Sequence, residues 1–399
     1  MSSTSISAGK ARLCVALLVL LGFSLGCSEF VVIGIESELA ADFNVSLSTA
    51  GQLISSFSLA YAVLTPLLTL STGRFRRFQL LVAYAAIFCI GNIVSALAQN
   101  FEVLLAARIV LGSVSGALLA VGVTFIPELV DAKRSSIVLS IVYAAFSVAM
   151  IIVTSVGKIL ADTLDWHYAM YGTLVMAVAT CAALIALMPR TGATDEPATF
   201  GEQARLLAEP CVISGILIFV FGVGSIYTLY GYITPYLQDI LGMDTMQASA
   251  TLMAYGAVTF FSNLLGGWID SRFGIRALVV TFILQAATLM GIYLVGPAMP
   301  EAIILIFVMA LLMYSFSISC ISLFMAVARR RHPKALTLAS SLEPMSFNVG
   351  ISFGTAVGGT VVSSAGLAQL GAVGAILALV ASALSAITYA LGRRTPLNS

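Results

Sequence analysis

Two ionisable residues fall inside apolar stretches where a charge has no ready solvent. Glu29 lies in the stretch 13–35 and Arg108 in the stretch 103–126. Counted from the ends that share one side, Glu29 is about six residues in and Arg108 about five. At 1.5 Å per residue that places them roughly 9 and 7.5 Å deep, level enough to face each other. A charge within a bilayer costs roughly 2.5–3.5 kcal/mol on insertion scales, and such residues turn to a cavity and find a partner. The chemistry open to the pair is reversible protonation. A low-dielectric surround favours the neutral acid, the guanidinium favours the anion, and a moving wall or an arriving substrate tips the balance. The plainer alternative is a fixed ion pair locking two helices, or a Glu29 that reaches water beside Glu36.

Other residues could join this chemistry. Glu343, followed by Pro344, is a second candidate proton site; the alternative is a helix-end residue offset by the basic cluster 329–334. Tyr227 and Tyr230, at i and i+3, share a helix face and could stack on a flat substrate, or simply pack. Tyr236, just past Pro235, reads as an interfacial anchor. Gln52, Ser56, Tyr61 and Asn348 could supply neutral hydrogen-bonding groups to a cavity. Gly112 and Gly116, and Gly350, Gly354 and Gly358, repeat every four residues, a spacing that lets helices approach closely and slide. Lys158 reads as a snorkelling residue at the end of its span. His167 and His332 stand as isolated loop residues, and the six cysteines show no metal-ligand spacing, so no metal site is expected. There is no phosphate loop, no nucleophile elbow and no HExxH, which leaves neither ATP-driven transport nor hydrolysis supported. The expectation is a protein that is not an enzyme and has no cofactor, with a proton gradient as its energy source.

The elements that must hold these residues follow from charge placement. Of 399 residues, 60% are hydrophobic and 9% charged, far from the roughly 25% charged of soluble domains. A net charge of +1 argues against a nucleic-acid partner. Seventeen of the 19 Lys and Arg residues fall at 10–12, 74–77, 133–134, 190–205, 272–276, 329–334 and 393–394. The segments between carry Glu36, Glu38, Asp42, Glu102, Asp162, Asp165, Asp239, Asp244 and Glu301. Cytoplasmic loops are rich in Lys and Arg, so seven inner and six outer segments require twelve crossings, with both termini inside. Helices are required because backbone polar groups in lipid must pair internally.

The predicted spans are 13–35, 50–72, 79–98, 103–126, 136–158, 166–188, 211–234, 247–269, 277–296, 302–327, 338–362 and 369–391. The first is too long for a signal-peptide core and reads as a retained span. The organisation is a tail over 1–12, a bundle over 13–188, a cytoplasmic linker over 189–210 with a short amphipathic helix, a second bundle over 211–391 and a tail over 392–399. The halves repeat: Phe146, Val148, Thr154, Val156 and Gly157 recur as Phe347, Val349, Thr355, Val357 and Gly358, each shifted by 201. This gives an all-α integral membrane fold of two pseudo-symmetric six-helix bundles.

Several of these segments resemble the major facilitator superfamily, and within it the twelve-span drug–proton antiporter branch of sugar, purine and drug efflux permeases. They are Ser28-Glu29-Phe30-Val31-Val32-Ile33-Gly34 through Ala40-Ala41-Asp42-Phe43, Ala50-Gly51-Gln52-Leu53, Arg108-x-x-Leu111-Gly112-x-x-x-Gly116, and Asn348-x-Gly350-x-x-x-Gly354-x-x-x-Gly358-Gly359. The resemblance implies an inner-face charge clamp at Asp270, Arg272 and Arg276, together with the reduced loop 74–77, with Glu128 or Asp131 as its partner; basic-inside topology alone is the alternative. There are departures. Thr72 and Phe75 stand where the family has Asp and Gly, and span five has Val153-Thr154-Ser155-Val156-Gly157 in place of Gly-Pro.

The expected function is therefore export of a small amphipathic molecule (drug, purine, nucleoside or sugar) by proton antiport with alternating access. The protein would be monomeric, in the inner membrane. Uptake on the same scaffold, or a receptor that moves nothing, are the alternatives.

Overall fold

The structure, a computed structural model, describes residues 8–72, 75–190, 200–332 and 335–394. Arg74, Lys334, linker residues 191–199 and the outer parts of both tails lie outside the described residues. Those described are almost wholly helical, with no strand among them.

The long helices run Ala8–Asp42, Gln52–Thr72, Arg77–Ala96, Phe101–Val123, Ala132–Thr163, Trp166–Leu187, Pro210–Tyr230, Thr245–Phe273, Ala277–Val295, then a broken pair Met299–Leu312 and Ser317–Arg331, then Leu336–Ala365 and Leu370–Arg394. Counting the broken pair once, these are spans one to twelve. Among the described residues, eleven stretches are long and apolar enough to cross a membrane, and one of them, Thr245–Val295, holds two helices. It turns at Gly274, whose φ of 57° suits a residue without Cβ.

Local chemistry sets the helix ends. Asn100 accepts from the Val103 amide at 2.9 Å, Asp165 from the His167 amide at 2.8 Å, and Asp244 with Gln247 forms a reciprocal capping box. The amphipathic linker helix spans Phe200–Leu207.

The chain packs as two compact units, one of Met1–Ile35 with Val63–Pro197 and one of Glu36–Ala62 with Ala198–Ser399. The sequence division at the linker assigns 36–62 to the first bundle, whereas its packing groups it with the second unit. The short helix Leu47–Ala50 lies against span eleven, which accounts for the grouping.

In the first unit, span three packs on spans four and six, and span five on span six. Span one meets span five through glycines: Gly26 leaves only 2.8 Å from an added Cβ to the Ala149 Cβ, and Gly22 and Gly34 abut the Val142 and Thr154 carbonyls. In the second unit, span seven lies along spans eleven and twelve, and span nine along span twelve. Here the predicted seam is a close approach. Added Cβ atoms on Gly350 and Gly358 would come within 2.8 Å of the Phe219 carbonyl and 2.6 Å of the Thr228 carbonyl, and Gly354 abuts Gly224. Gly112 and Gly116 are buried in the first unit.

Three surface expectations are corrected. Lys158 does not snorkel: its helix continues to Thr163, its side chain is 1% exposed, and it pairs one turn on with Asp162 at 3.2 Å. Tyr236 is buried rather than interfacial, because the chain past Pro235 does not end its helical run there but continues as one turn of π-helix. Glu36 is not in water: span one runs on as helix to Asp42, and the residue is 0% exposed.

Candidate functional site

In the first unit, span four brings Arg108 against the backbone of span one. The guanidinium donates to the Ser28 carbonyl and, from Nη2, to the Glu29 carbonyl at 2.8 Å. Glu29 is 6% and Arg108 1% exposed, and each charge acts on the other. The apolar stretches force this arrangement, since helical carbonyls near a serine are among the few acceptors a buried guanidinium can reach.

Sequence reasoning missed a third member, Asn92 on span three. It accepts from Ser28 Oγ at 3.1 Å and donates to the Phe88 carbonyl at 2.9 Å. The second unit repeats the device: Gln285 on span nine donates to the Gly222 carbonyl at 2.9 Å and to Ser225 Oγ on span seven. In each unit a serine of the first span is tied to an amide of the third. The available signal was a lone neutral amide inside an apolar run.

The second unit gathers aromatic rings. Tyr227 and Tyr230 meet edge to face at 5.4 Å, Tyr230 stacks on Tyr255 at 4.8 Å, Tyr227 meets Phe347 at 6.2 Å, and Phe347 stacks on Tyr314 at 5.3 Å. Tyr255 and Tyr314, from spans eight and ten, were not expected. Glu343 is half-buried on span eleven, one turn before Phe347. Asn348 donates from Nδ2 to the Pro344 carbonyl at 3.1 Å, while its Oδ1 is buried with no hydrogen-bond partner among the described residues. Ser56 Oγ is likewise buried without one, Tyr61 is buried and Gln52 is exposed. The ring contacts do not extend to Gln52 or Ser56. Such a cluster can hold a flat or weakly cationic group by stacking and cation–π attraction.

At the basic ends of the helices, Arg77 pairs with Glu128 at 3.4 Å in the first unit. In the second, Asp270 accepts from Ser322 Oγ at 2.9 Å, Arg272 lies over Trp268 at 5.8 Å, and Arg276 donates from Nε to the Phe273 carbonyl at 3.1 Å. His332 is not isolated: its Nε2 lies 3.0 Å from Glu209 Oε1, and Arg331 donates to Glu209 Oε2 at 2.7 Å. Burial works to raise the Glu209 carboxyl, but the bonds from His332 and Arg331 outweigh it and hold the group below its ordinary value. His167 packs on Asp165.

Comparison with known proteins agrees with this layout. The chain is 26% identical over 390 residues to the uncharacterized MFS-type transporter YtbD of Bacillus subtilis (strain 168), covering 97% of this chain and 98% of that one. It is 29% identical over 369 residues to the inner membrane transport protein YdhP of Escherichia coli (strain K12), covering 91% and 93%. Among solved structures, a bacterial homolog of the human lysosomal transporter Spinster aligns with a TM-score of 0.77 at 15% identity, covering 95% and 96%. The nucleoside transporter NupG aligns at 0.76 and 13%, covering 95% and 100%, and a D-xylose–proton symporter at 0.70 and 17%, covering 93% and 96%. These structures share the twelve-helix fold. The sequence model of the Major Facilitator Superfamily matches residues 18–337, and with that match the chain belongs to this superfamily, as a multi-pass membrane transporter of small molecules and not an enzyme.

Proposed function

We propose that this transporter exports a small amphipathic molecule against proton entry, by alternating access, drawing on the proton gradient and needing no cofactor. The observation that carries the reading is the buried Arg108 guanidinium bonded to the Glu29 main chain, which fixes a cation beside an intramembrane carboxyl. A proton on Glu29 cancels the attraction between the two side chains, and its loss restores it. Occupancy by a proton is thereby linked to the packing of span one on span four. Glu343 serves as a second proton site beneath the aromatic cluster, and Asp270, Arg272 and Arg276 form the inner gating loop. Both termini lie in the cytoplasm, with the basic segments, and the protein works as a monomer in the inner membrane.

The substrate binds among Tyr227, Tyr230 and Asn348, with Gln52, Ser56 and Tyr61 completing the cavity. Stacked tyrosines favour flat, neutral or weakly cationic solutes over polyanions. Drugs, purines or nucleosides, and sugars are the classes to test, and the nucleoside and xylose transporters of like fold support two of them. A proton symporter among those relatives makes proton-coupled uptake the second reading. Counterflow and pH-gradient-driven flux in proteoliposomes, with a panel of labelled solutes, test both. Solute leaving the side to which protons flow supports antiport; co-movement supports uptake; no flux of any solute would sink both.

A further inference from the structure

Span one carries a carboxylate that the Glu29–Arg108 site does not use. Its helix breaks at Ile35, where φ is −120° and ψ 17°, and Glu36 comes next. From this residue on the chain packs with the second unit. Glu36 is 0% exposed, and among the described residues neither of its oxygens has a hydrogen-bond partner.

The groups that act on its charge are Glu38, two residues on, and the Tyr232 phenol beyond span seven. Glu38 repels it. Tyr232 gives its proton elsewhere, to the Thr355 carbonyl at 3.1 Å. Lys158, next to the Gly157 that packs on Ile35, is engaged with Asp162 at 3.2 Å.

Tyr232 sits in a socket built for it. A Cβ on Gly51 would overlap the phenol, and one on Gly359 would stand 2.6 Å from its oxygen and 3.0 Å from Ser48 Oγ. Segment 36–62 is thus clasped onto spans seven and eleven around one tyrosine, and the helix that enters the clasp carries the sealed carboxylate. A buried carboxylate without donors must be neutralised by a proton or a bound cation. A metal ion would need several oxygen or nitrogen ligands, and no group of three or more His, Cys, Asp or Glu residues stands together among the described residues. That leaves the proton.

We propose that Glu36 is a proton-binding site separate from Glu29, whose neutral acid form lets segment 36–62 clasp Tyr232 and whose ionised form releases it. The O–H bond forms with a proton taken from water while the clasp is open and breaks back to that water; nothing else is consumed. Glu38 adds repulsion once the anion exists.

Hydrogen–deuterium exchange of the full-length chain in vesicles tests this, at acidic and alkaline pH and corrected for intrinsic rates, on peptides covering 43–58 and 355–366. In the native protein exchange of both peptides rises with pH, by up to about tenfold per unit for one linked proton. Glu36→Gln, isosteric with the neutral acid, removes that rise and stays protected throughout, and so does Glu36→Leu should the glutamine prove unstable. Glu29→Gln keeps it, which separates this site from the coupling assigned to Glu29. An unchanged rise in both Glu36 variants would overturn the proposal. So would protection of the native protein at alkaline pH by added sodium or choline, which would make the occupant a cation.

Discussion

Arg108 holds Glu29 by its main chain: the guanidinium Nη2 donates to the Glu29 carbonyl at 2.8 Å. A second donation goes to the Ser28 carbonyl next to it. Both acceptors survive any change of the Glu29 side chain. These two bonds therefore hold whether the carboxyl is charged, neutral or replaced, and what the proton changes is the side-chain attraction added to them.

From this follows a clean test of coupling. Glu29→Gln is expected to melt within about 0.5 kcal/mol of the native protein, as substitutions that leave contacts intact do. Counterflow should persist, while flux driven by an imposed pH gradient falls at least about tenfold, equivalent to roughly 1.4 kcal/mol on the rate-limiting barrier. Undiminished gradient-driven flux would remove Glu29 from the mechanism.

Asn92 offers a companion prediction. Its side chain fixes Ser28 Oγ, on a residue whose own carbonyl accepts from Arg108. Asn92→Leu leaves that hydroxyl without its acceptor, and losing one buried hydrogen bond costs about 0.5–1.5 kcal/mol. The expected result is a lower melting temperature with the pH profile of transport unchanged in shape. A shifted profile would give Asn92 a direct part in proton handling.

What the sequence made legible follows from physics. Twelve passages could be read because Lys and Arg separate by side, and a charge is hard to hide. For the same reason Glu29 and Arg108 stood out. Asn92 and Gln285 did not, since a neutral amide barely disturbs an apolar run. Tyr255 and Tyr314 escaped notice because their meeting with Tyr230 and Phe347 is made by four different helices, beyond any local spacing. Glu36 and Lys158 were misplaced in water because the helices that carry them outrun their apolar segments, to Asp42 and Thr163.

The aromatic cluster predicts selectivity. Tyr230 touches both Tyr227 and Tyr255, so Tyr230→Leu removes two ring contacts, each worth about 0.5–1.5 kcal/mol. Transport of flat aromatic solutes should fall about tenfold or more in apparent affinity, and that of sugars much less. Equal losses for both classes would make the ring a packing residue.

Acid should loosen the Glu209 cluster. Its carboxyl lies below the ordinary value when folded, so the unfolded chain binds the proton more readily. The stabilisation is then fully present above the unfolded pKa and is lost as pH falls through the folded one. The Arg331 side chain is 42% exposed, so solvent screens the pair and the expected size is about 0.2–1 kcal/mol. Melting of the native protein and of Glu209→Gln should differ by a constant amount near neutrality and converge below about pH 4. A difference that persists at low pH would assign the effect to packing.

The glycine seam of span eleven can be tested by volume. Gly354 abuts the Gly224 backbone of span seven, so a side chain there must push two helices apart, whereas Gly172 has nothing within 4 Å of an added Cβ. Overpacking of a tight contact costs about 1–3 kcal/mol, while Gly→Ala in an open helix interior gains about 0.5–1 kcal/mol. Gly354→Val should therefore lower the melting temperature, and Gly172→Ala should hold or raise it. Because the carbonyl that blocks Gly354 belongs to backbone and cannot rotate aside, a neutral Gly354→Val would mean that spans seven and eleven stand further apart than the structure places them.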